Sequence, residues 1–218
     1  MDKSFNYIIS PEISGFKRFS PKLKIGVLAS GKGTNFQELI NLSENGELDI
    51  DIKVLITNKD DAGCIKRAES VKIPHKIIRG KDFLQKELFE LEIVNTLIHY
   101  DVELVVMAGW MKIATPYFIN KFKNKIINIH PSLLPAYKGG SAIKDSIFNG
   151  SKITGCSVHF VEEEVDSGSL IMQAALSIRD DDDIESLSKR IHILEHKILP
   201  YSISHVGYLI RSNIMENY

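Results

Sequence analysis

The chain has 218 residues, of which 44% are hydrophobic and 25% charged, with a formal net charge of −1 and a pI near 6.7. A chain of this length makes one large α/β domain or two small ones, and buries about 70% of its unfolded surface without a metal or disulfide staple. The composition excludes a disordered tail protein, and the near-neutral charge excludes a broad electrostatic footprint for nucleic acid or an anionic membrane.

The two cysteines, Cys64 and Cys156, lie far apart and form no C-x-x-C, which argues against a zinc ribbon, a dithiol redox motif or a secreted disulfide framework. No apolar run approaches the ~20 residues of a membrane helix. The N-terminal stretch has no signal-peptide core, and Asp2 and Glu12 are unlike a transit peptide. The reading is a cytoplasmic protein with a loosely ordered extension over residues 1–22 and a single domain over 23–218.

Lys24–Ser30 reads as a buried strand, short, apolar and followed by glycines. Gly31–Asn35 is a loop, and Asn35–Leu42 has helical spacing, with Phe36, Leu39 and Ile40 on one face. A strand over Ile52–Thr57, a short helix over Gly63–Val71 and a third strand at His75–Ile78 follow. Lys81–His99 is a long amphipathic helix, and Leu104–Ala108 is apolar on both sides, as central parallel strands are. Thr115–Phe122 is a helix with Pro116 in its first turn. Lys125–Ile129 is a strand ending at His130, and Ser141–Asn149 is a helix stopped by Gly150. Gly155–Val161 and Leu170–Ile178 alternate as two strands around the acidic loop Glu162–Gly168. Asp182 with Glu185 reads as a capping box opening a final helix that runs past His196 towards Pro200. The pattern predicts a doubly wound, mostly parallel α/β sheet with an antiparallel C-terminal part. In such sheets ligands bind beyond the carboxyl ends of the strands, here the segments after Ser30, Ala108 and Ile129.

The loop Ser30-Gly31-Lys32-Gly33-Thr34-Asn35 joins a strand to a helix, where backbone N–H groups and the helix dipole attract phosphate. Phe36 replaces the third glycine of a dinucleotide fingerprint, and no Gly-Lys-Ser/Thr closes a Walker loop. By itself the loop fits either a tight turn with no ligand or a mononucleotide or sugar-phosphate site. Asn128 and His130 face the same side of an extended chain at a strand end. Asp166, in the acidic loop, could fold back over that edge, and a carboxylate there would stabilise imidazolium. Asn plus His⁺ would clamp a developing oxyanion. A structural histidine beside a proline-rich turn is the alternative. With no nucleophile elbow evident, acyl chemistry would proceed by direct transfer rather than through a covalent intermediate.

These segments carry a resemblance. Gly31–Asn35, Ala108-Gly109-Trp110-Met111-Lys112-Ile113, Asn128-Ile129-His130-Pro131-Ser132-Leu133-Leu134-Pro135, Gly155–Phe160 and Val165–Gly168 occur in order. Together they resemble the folate-dependent formyltransferase family, and within it the phosphoribosylglycinamide formyltransferases, over about Lys24 to Arg211. The resemblance implies a Rossmann-like fold and formyl transfer from the co-substrate 10-formyltetrahydrofolate to glycinamide ribonucleotide, with no metal. It implies that Gly33, Thr34 and Asn35 hold the phosphate, and that Glu195 and His192 reach the ribonucleotide from the last helix. It implies folate contacts from Lys86, Met111, Lys112, Ile113, Ala114, Asn128, Glu162 and Val165. His130, Asn128 and Asp166 would be catalytic. Lys86 and Lys112 stand where many members have Arg, keeping the charge but not the bidentate fork. The implied partners are small-molecule substrates, with no nucleic acid or membrane, in a monomer or weak homodimer.

The rivals are a formyltetrahydrofolate hydrolase, against which the phosphate loop and the short segment before Lys24 argue, and a methionyl-tRNA formyltransferase, which would need a basic C-terminal domain. A sugar-phosphate binder without catalysis is the rival outside the class. His192-Ile193-Leu194-Glu195-His196 matches the H-x-x-E-H zinc pattern, but so short a match reads as a helix face. Asp180–Asp183 lacks the glycine and terminal glutamate of a calcium loop. Trp110 reads as core or pocket wall.

Overall fold

The structure, a computed structural model, describes residues 5–214. Its elements are β1 (Tyr7–Ser10), β2 (Leu23–Leu28), α1 (Thr34–Glu44), β3 (Ile50–Thr57), α2 (Gly63–Ser70) and β4 (His75–Ile77). After a 3-10 turn at Gly80–Asp82 come α3 (Lys86–His99), β5 (Leu104–Met107), α4 (Pro116–Lys121), β6 (Ile126–His130) and α5 (Ala142–Phe148). β7 (Ile153–Phe160), β8 (Leu170–Ser177) and α6 (Ile184–Arg211) complete the chain.

The strands form one sheet in the order β1-β8-β7-β6-β5-β2-β3-β4. β6, β5, β2, β3 and β4 run parallel, whereas β7, β8 and β1 join antiparallel. The chain winds outward from β2 to β4, then returns to the other side of β2 to lay down β5. A crevice therefore opens between the carboxyl ends of β2 and β5. It is bridged where Ser30 N–H donates to the Gly109 carbonyl and Met111 N–H to Ser30 Oγ, at 3.0 and 3.1 Å.

Strand alternation divides the core. Leu23, Ile25 and Val27 of β2, with Leu104 and Val106 of β5, pack against α1, α2 and α6. Leu28, Val105 and Met107 point to the opposite face and meet Phe89, Ile93 and Leu97 of α3 and Phe118 of α4. Each such aliphatic or aromatic side chain contributes about 1.5–3 kcal/mol by leaving water.

Four local expectations are corrected. In place of a loosely ordered extension, Tyr7–Ser10 pairs with β8, and Phe5, Ile9, Ile13, Phe16 and Phe19 pack on the core. Residues 1–4 of that extension lie outside the described residues. The long helix α3 starts at Lys86 rather than Lys81, because 80–82 closes as a separate 3-10 turn. The capping box of α6 forms at Asp183 and Ser186, whose hydroxyl accepts the Asp183 N–H while its own N–H reaches the Asp183 carboxylate. Asp182 is drawn instead to the guanidinium of Arg190. Finally, α6 continues through Pro200 to Arg211. A proline inside a helix costs ~3 kcal/mol. The buried Ile198, Leu199, Ile203 and Val206 on either side offset this several times over.

Candidate active site

The glycine loop brings the chain from β2 into α1. Gly33 stands at the helix N-cap in the left-handed region, with φ 70° and ψ 39°, and provides no side-chain cap. A Cβ there would lie 2.6 Å from the Cβ of Cys64, so both backbone conformation and space demand glycine. The first amides of α1 have no intrahelical acceptor and are free to meet an anion. Thr34 is half-buried in this first turn, and Asn35 is buried.

Asn35 turns its amide towards α6, where Nδ2 donates to Glu195 Oε2 at 2.8 Å. Glu195 is 5% exposed. Burial pushes its carboxyl above the ordinary range, opposed by the charge of His192, the Asn35 hydrogen bond and the charge of His130. The other amide atom, Asn35 Oδ1, is buried with no hydrogen-bond partner. His192 is exposed on the preceding turn of α6, on the same side as Glu195. The loop, Asn35, Glu195 and the field of His192 thus form one locality.

The second locality lies at the end of β6. His130 directs Nε2 at the Tyr137 carbonyl, 2.8 Å away, and Nδ1 at Asp166 Oδ2, 3.3 Å away. A carbonyl only accepts, so Nε2 carries a proton; a doubly protonated ring donates on both sides. The Asp166 side chain is 10% exposed and accepts the Gly139 N–H at 2.8 Å. Burial alone would raise its pKa. The close approach of His159, the Gly139 N–H and the charge of His130 together outweigh burial and hold the carboxyl down to about 2.

His159 is the residue the sequence reading missed. The β6–β7 register sets it opposite Asn128. Its Nδ1 donates to the Phe160 carbonyl at 2.7 Å, and its Nε2 lies 3.1 Å from the Asn128 amide nitrogen and 3.6 Å from Asp166 Oδ1. Asn128 is therefore oriented by His159, and Asp166 is shared between two imidazoles. The available signal was an imidazole near the end of the strand Gly155–Val161, just before the acidic loop that carries Asp166.

The residues assigned to folate come from the start of α3, the segment after β5, β6 and the loop after β7. Met111 and Ile113 are 67% and 58% exposed, Lys112 is exposed and Ala114 is buried. The segment ends at Thr115, whose N–H and hydroxyl both bind the buried carboxylate of Glu90 on α3. Lys86 is exposed at the first turn of α3. Glu162 and Val165 are exposed in the loop after β7, which is tied to the opposite loop by Lys138 Nζ and Glu164 Oε1 at 2.8 Å. A cavity of about 500 Å³ is lined by Ile119, Lys123 and Val161–Glu164. It takes in Glu162 but not His130 or Asp166. Among the described residues no group of three or more His, Cys, Asp or Glu is arranged to hold a metal.

Comparison with known proteins places this geometry. The profile of the formyl transferase family matches residues 23–203. The trifunctional purine biosynthetic protein adenosine-3 of Chironomus tentans is 42% identical over 193 residues, covering 87% of this chain and 14% of the relative. That of Homo sapiens is 36% identical over 186 residues, 85% of this chain and 18% of the relative. The chain thus spans about a seventh to a fifth of the length of these curated relatives. It is also similar to the solved glycinamide ribonucleotide transformylase 1 from Symbiobacterium toebii, with TM-score 0.84 and 34% identity over 90% of this chain and 93% of that one. The phosphoribosylglycinamide formyltransferase from Bacillus halodurans gives TM-score 0.82 and 35% identity over 84% and 94%. With the fold, the glycine loop and the strand-end histidine all falling within the matched span, the chain belongs to the formyl transferase family.

Proposed function

We propose that the chain transfers the formyl group of 10-formyltetrahydrofolate to the amine of N1-(5-phosphoribosyl)glycinamide, a step of purine (IMP) biosynthesis. The observation that carries this reading is the convergence of His130 and Asp166, 3.3 Å apart, at the strand end that faces the crevice. A pure binding module has no need of such a pair.

In this reading the free amides of Gly33, Thr34 and Asn35 hold the ribonucleotide phosphate, aided by His192. The Glu195 carboxylate accepts from its hydroxyls. Lys86, Met111–Ala114, Glu162 and Val165 hold the folate. The substrate amine attacks the formyl carbon and the carbonyl oxygen takes up negative charge. Asn128 and His130 donate to that oxygen. The Nε2–H directed at the Tyr137 carbonyl is the donor the oxyanion requires. Substrate binding therefore exchanges one acceptor for another and leaves no donor unsatisfied. The amine's proton passes through His130, or a water held by Asp166, to folate N10 as the C–N10 bond breaks. Loss of one such donor costs about 10²–10³ in rate in comparable sites, and positioning two substrates together supplies much of the rest.

The reading includes action in the cytoplasm as a monomer or weak homodimer on small-molecule substrates. It is tested by following folate product by absorbance with and without glycinamide ribonucleotide. Product dependent on the ribonucleotide is expected. Product formed without it would favour the hydrolase, and none in either case would overturn the assignment.

A further inference from the structure

Helix α2 begins directly against the glycine loop. The Cys64 N–H donates to the Gly31 carbonyl at 3.2 Å, and a Cβ placed on Gly63 would lie 3.2 Å from Lys32 Cα. One turn later Arg67 reaches back over the same loop. Its Nε donates to the Lys32 carbonyl and its Nη1 to Gln37 Oε1, each at 2.8 Å. Lys32 immediately precedes the left-handed Gly33. Gln37 belongs to the opening turn of α1, where its own N–H closes on the Gly33 carbonyl at 2.9 Å. One guanidinium therefore spans the bend that aims the free amides.

The loop needs such a tie. Gly31 and Gly33 permit its path but lose more conformational freedom on ordering than other residues. A planar guanidinium delivers two hydrogen bonds in fixed relative directions, which an ammonium does not. The charge also acts locally. His196 on α6 has its pKa lowered first by burial, then by the charges of His192 and Arg67. The positive field of Arg67 thus reaches the helix that carries Glu195. The buried, unpartnered Asn35 Oδ1 in the same turn is an acceptor and calls for a donor such as a substrate hydroxyl or amine, not for the phosphate itself.

We propose that Arg67 is a positioning residue for the phosphoryl end of the substrate, holding the Lys32–Gly33 peptide so that the α1 amides face the phosphate. It acts through the loop rather than by contact, and it biases the site towards a phosphorylated over an unphosphorylated glycinamide riboside. This rests on the reading of the α1 N-terminus as the ribonucleotide phosphate site.

The test uses the full chain with Arg67→Met, Arg67→Lys and Gln37→Ala. The readouts are KM for each substrate, kcat, and competitive inhibition by inorganic phosphate. Arg67→Met is expected to raise the ribonucleotide KM and weaken phosphate inhibition by about tenfold, the scale of one lost charge-assisted tether. Folate KM and saturating kcat should stay within about twofold, a split that a general loss of fold would not give. Arg67→Lys should recover less than half of the loss, because it restores charge but not the fork. Gln37→Ala removes one tether from a half-buried position and should raise the same KM about threefold. An unchanged ribonucleotide KM in Arg67→Met or Gln37→Ala, or an equal loss for both substrates, overturns the proposal. If instead the parent chain works without ribonucleotide and is indifferent to phosphate, the functional reading itself fails.

Discussion

Asp166→Asn separates charge from shape at the centre of the site. An amide resembles a protonated carboxyl, so the substitution removes what acid would remove. The carboxyl is held at about 2 against an ordinary value of 3.8, a gap worth about 2 kcal/mol of folded-state stabilisation of the anion. The side chain is nine-tenths buried, so water screens little of this. Because the folded pKa is the lower one, the contribution is complete above pH ~4 and is lost as pH falls towards 2. At neutral pH the variant should therefore melt roughly 4–8 °C below the parent for a chain of this size. The two melting curves should approach each other below pH 4. Turnover should fall by about 10²–10⁴, as for loss of a positioned acid–base group. The double variant with His130→Ala should be little worse than the worse single variant. Thermal melts from pH 2.5 to 7, beside pH–rate profiles, make the measurement. A variant as stable as the parent at pH 7 would refute the electrostatic argument, and losses that multiply would refute the coupling.

Gly33→Val forces a β-branched residue to φ 70° and into Cys64; it should raise the ribonucleotide KM while folate titration is nearly unchanged, and an equal loss for both would remove the loop from the phosphate site. Lys86→Ala should weaken folate binding, with the difference shrinking as salt is added if the contact is solvent-exposed; unchanged folate affinity at low salt takes Lys86 out of the site. Glu195→Gln keeps the room for the Asn35 contact but relieves a buried charge whose pKa is raised. It should fold at least as stably as the parent at pH 7 and bind the ribonucleotide more weakly, and a clear fall in melting temperature would contradict this.

The strand ends, and with them the place of the site, are legible because parallel strands are apolar runs punctuated by glycine or by a polar cluster. Ser30, Ala108 and His130 each mark such a change. The rest depends on partners distant in sequence. β1 has no alternation strong enough to announce a strand; it forms because β8, more than 160 residues later, supplies its ladder. His159 becomes visible only once register sets it opposite Asn128. Asp182 and Asp183 are chemically identical neighbours, and the cap falls to Asp183 while Asp182 is engaged by Arg190 and the Arg179 N–H. Pro200 reads locally as a stop, yet the burial of the helix face around it is a tertiary quantity.

The pairing of β1 with Gln173–Leu176 also bears on colloidal behaviour. The family match begins at residue 23, after this segment. Without it, β8 would present an open ladder of N–H and C=O groups along an eight-residue strand bearing Ile171, Met172, Ala174 and Leu176. Such an edge is a template for strands of other molecules. β1 replaces it with a four-residue edge that ends at Pro11, which offers no N–H to a visiting chain. Phe16 stacked on Tyr201 at 4.3 Å and the Lys17 N–H on Ser204 Oγ at 2.7 Å anchor the segment to α6. A chain shortened to begin at Leu23 would retain every residue assigned to the substrates, yet at high concentration it would be drawn into edge-to-edge association.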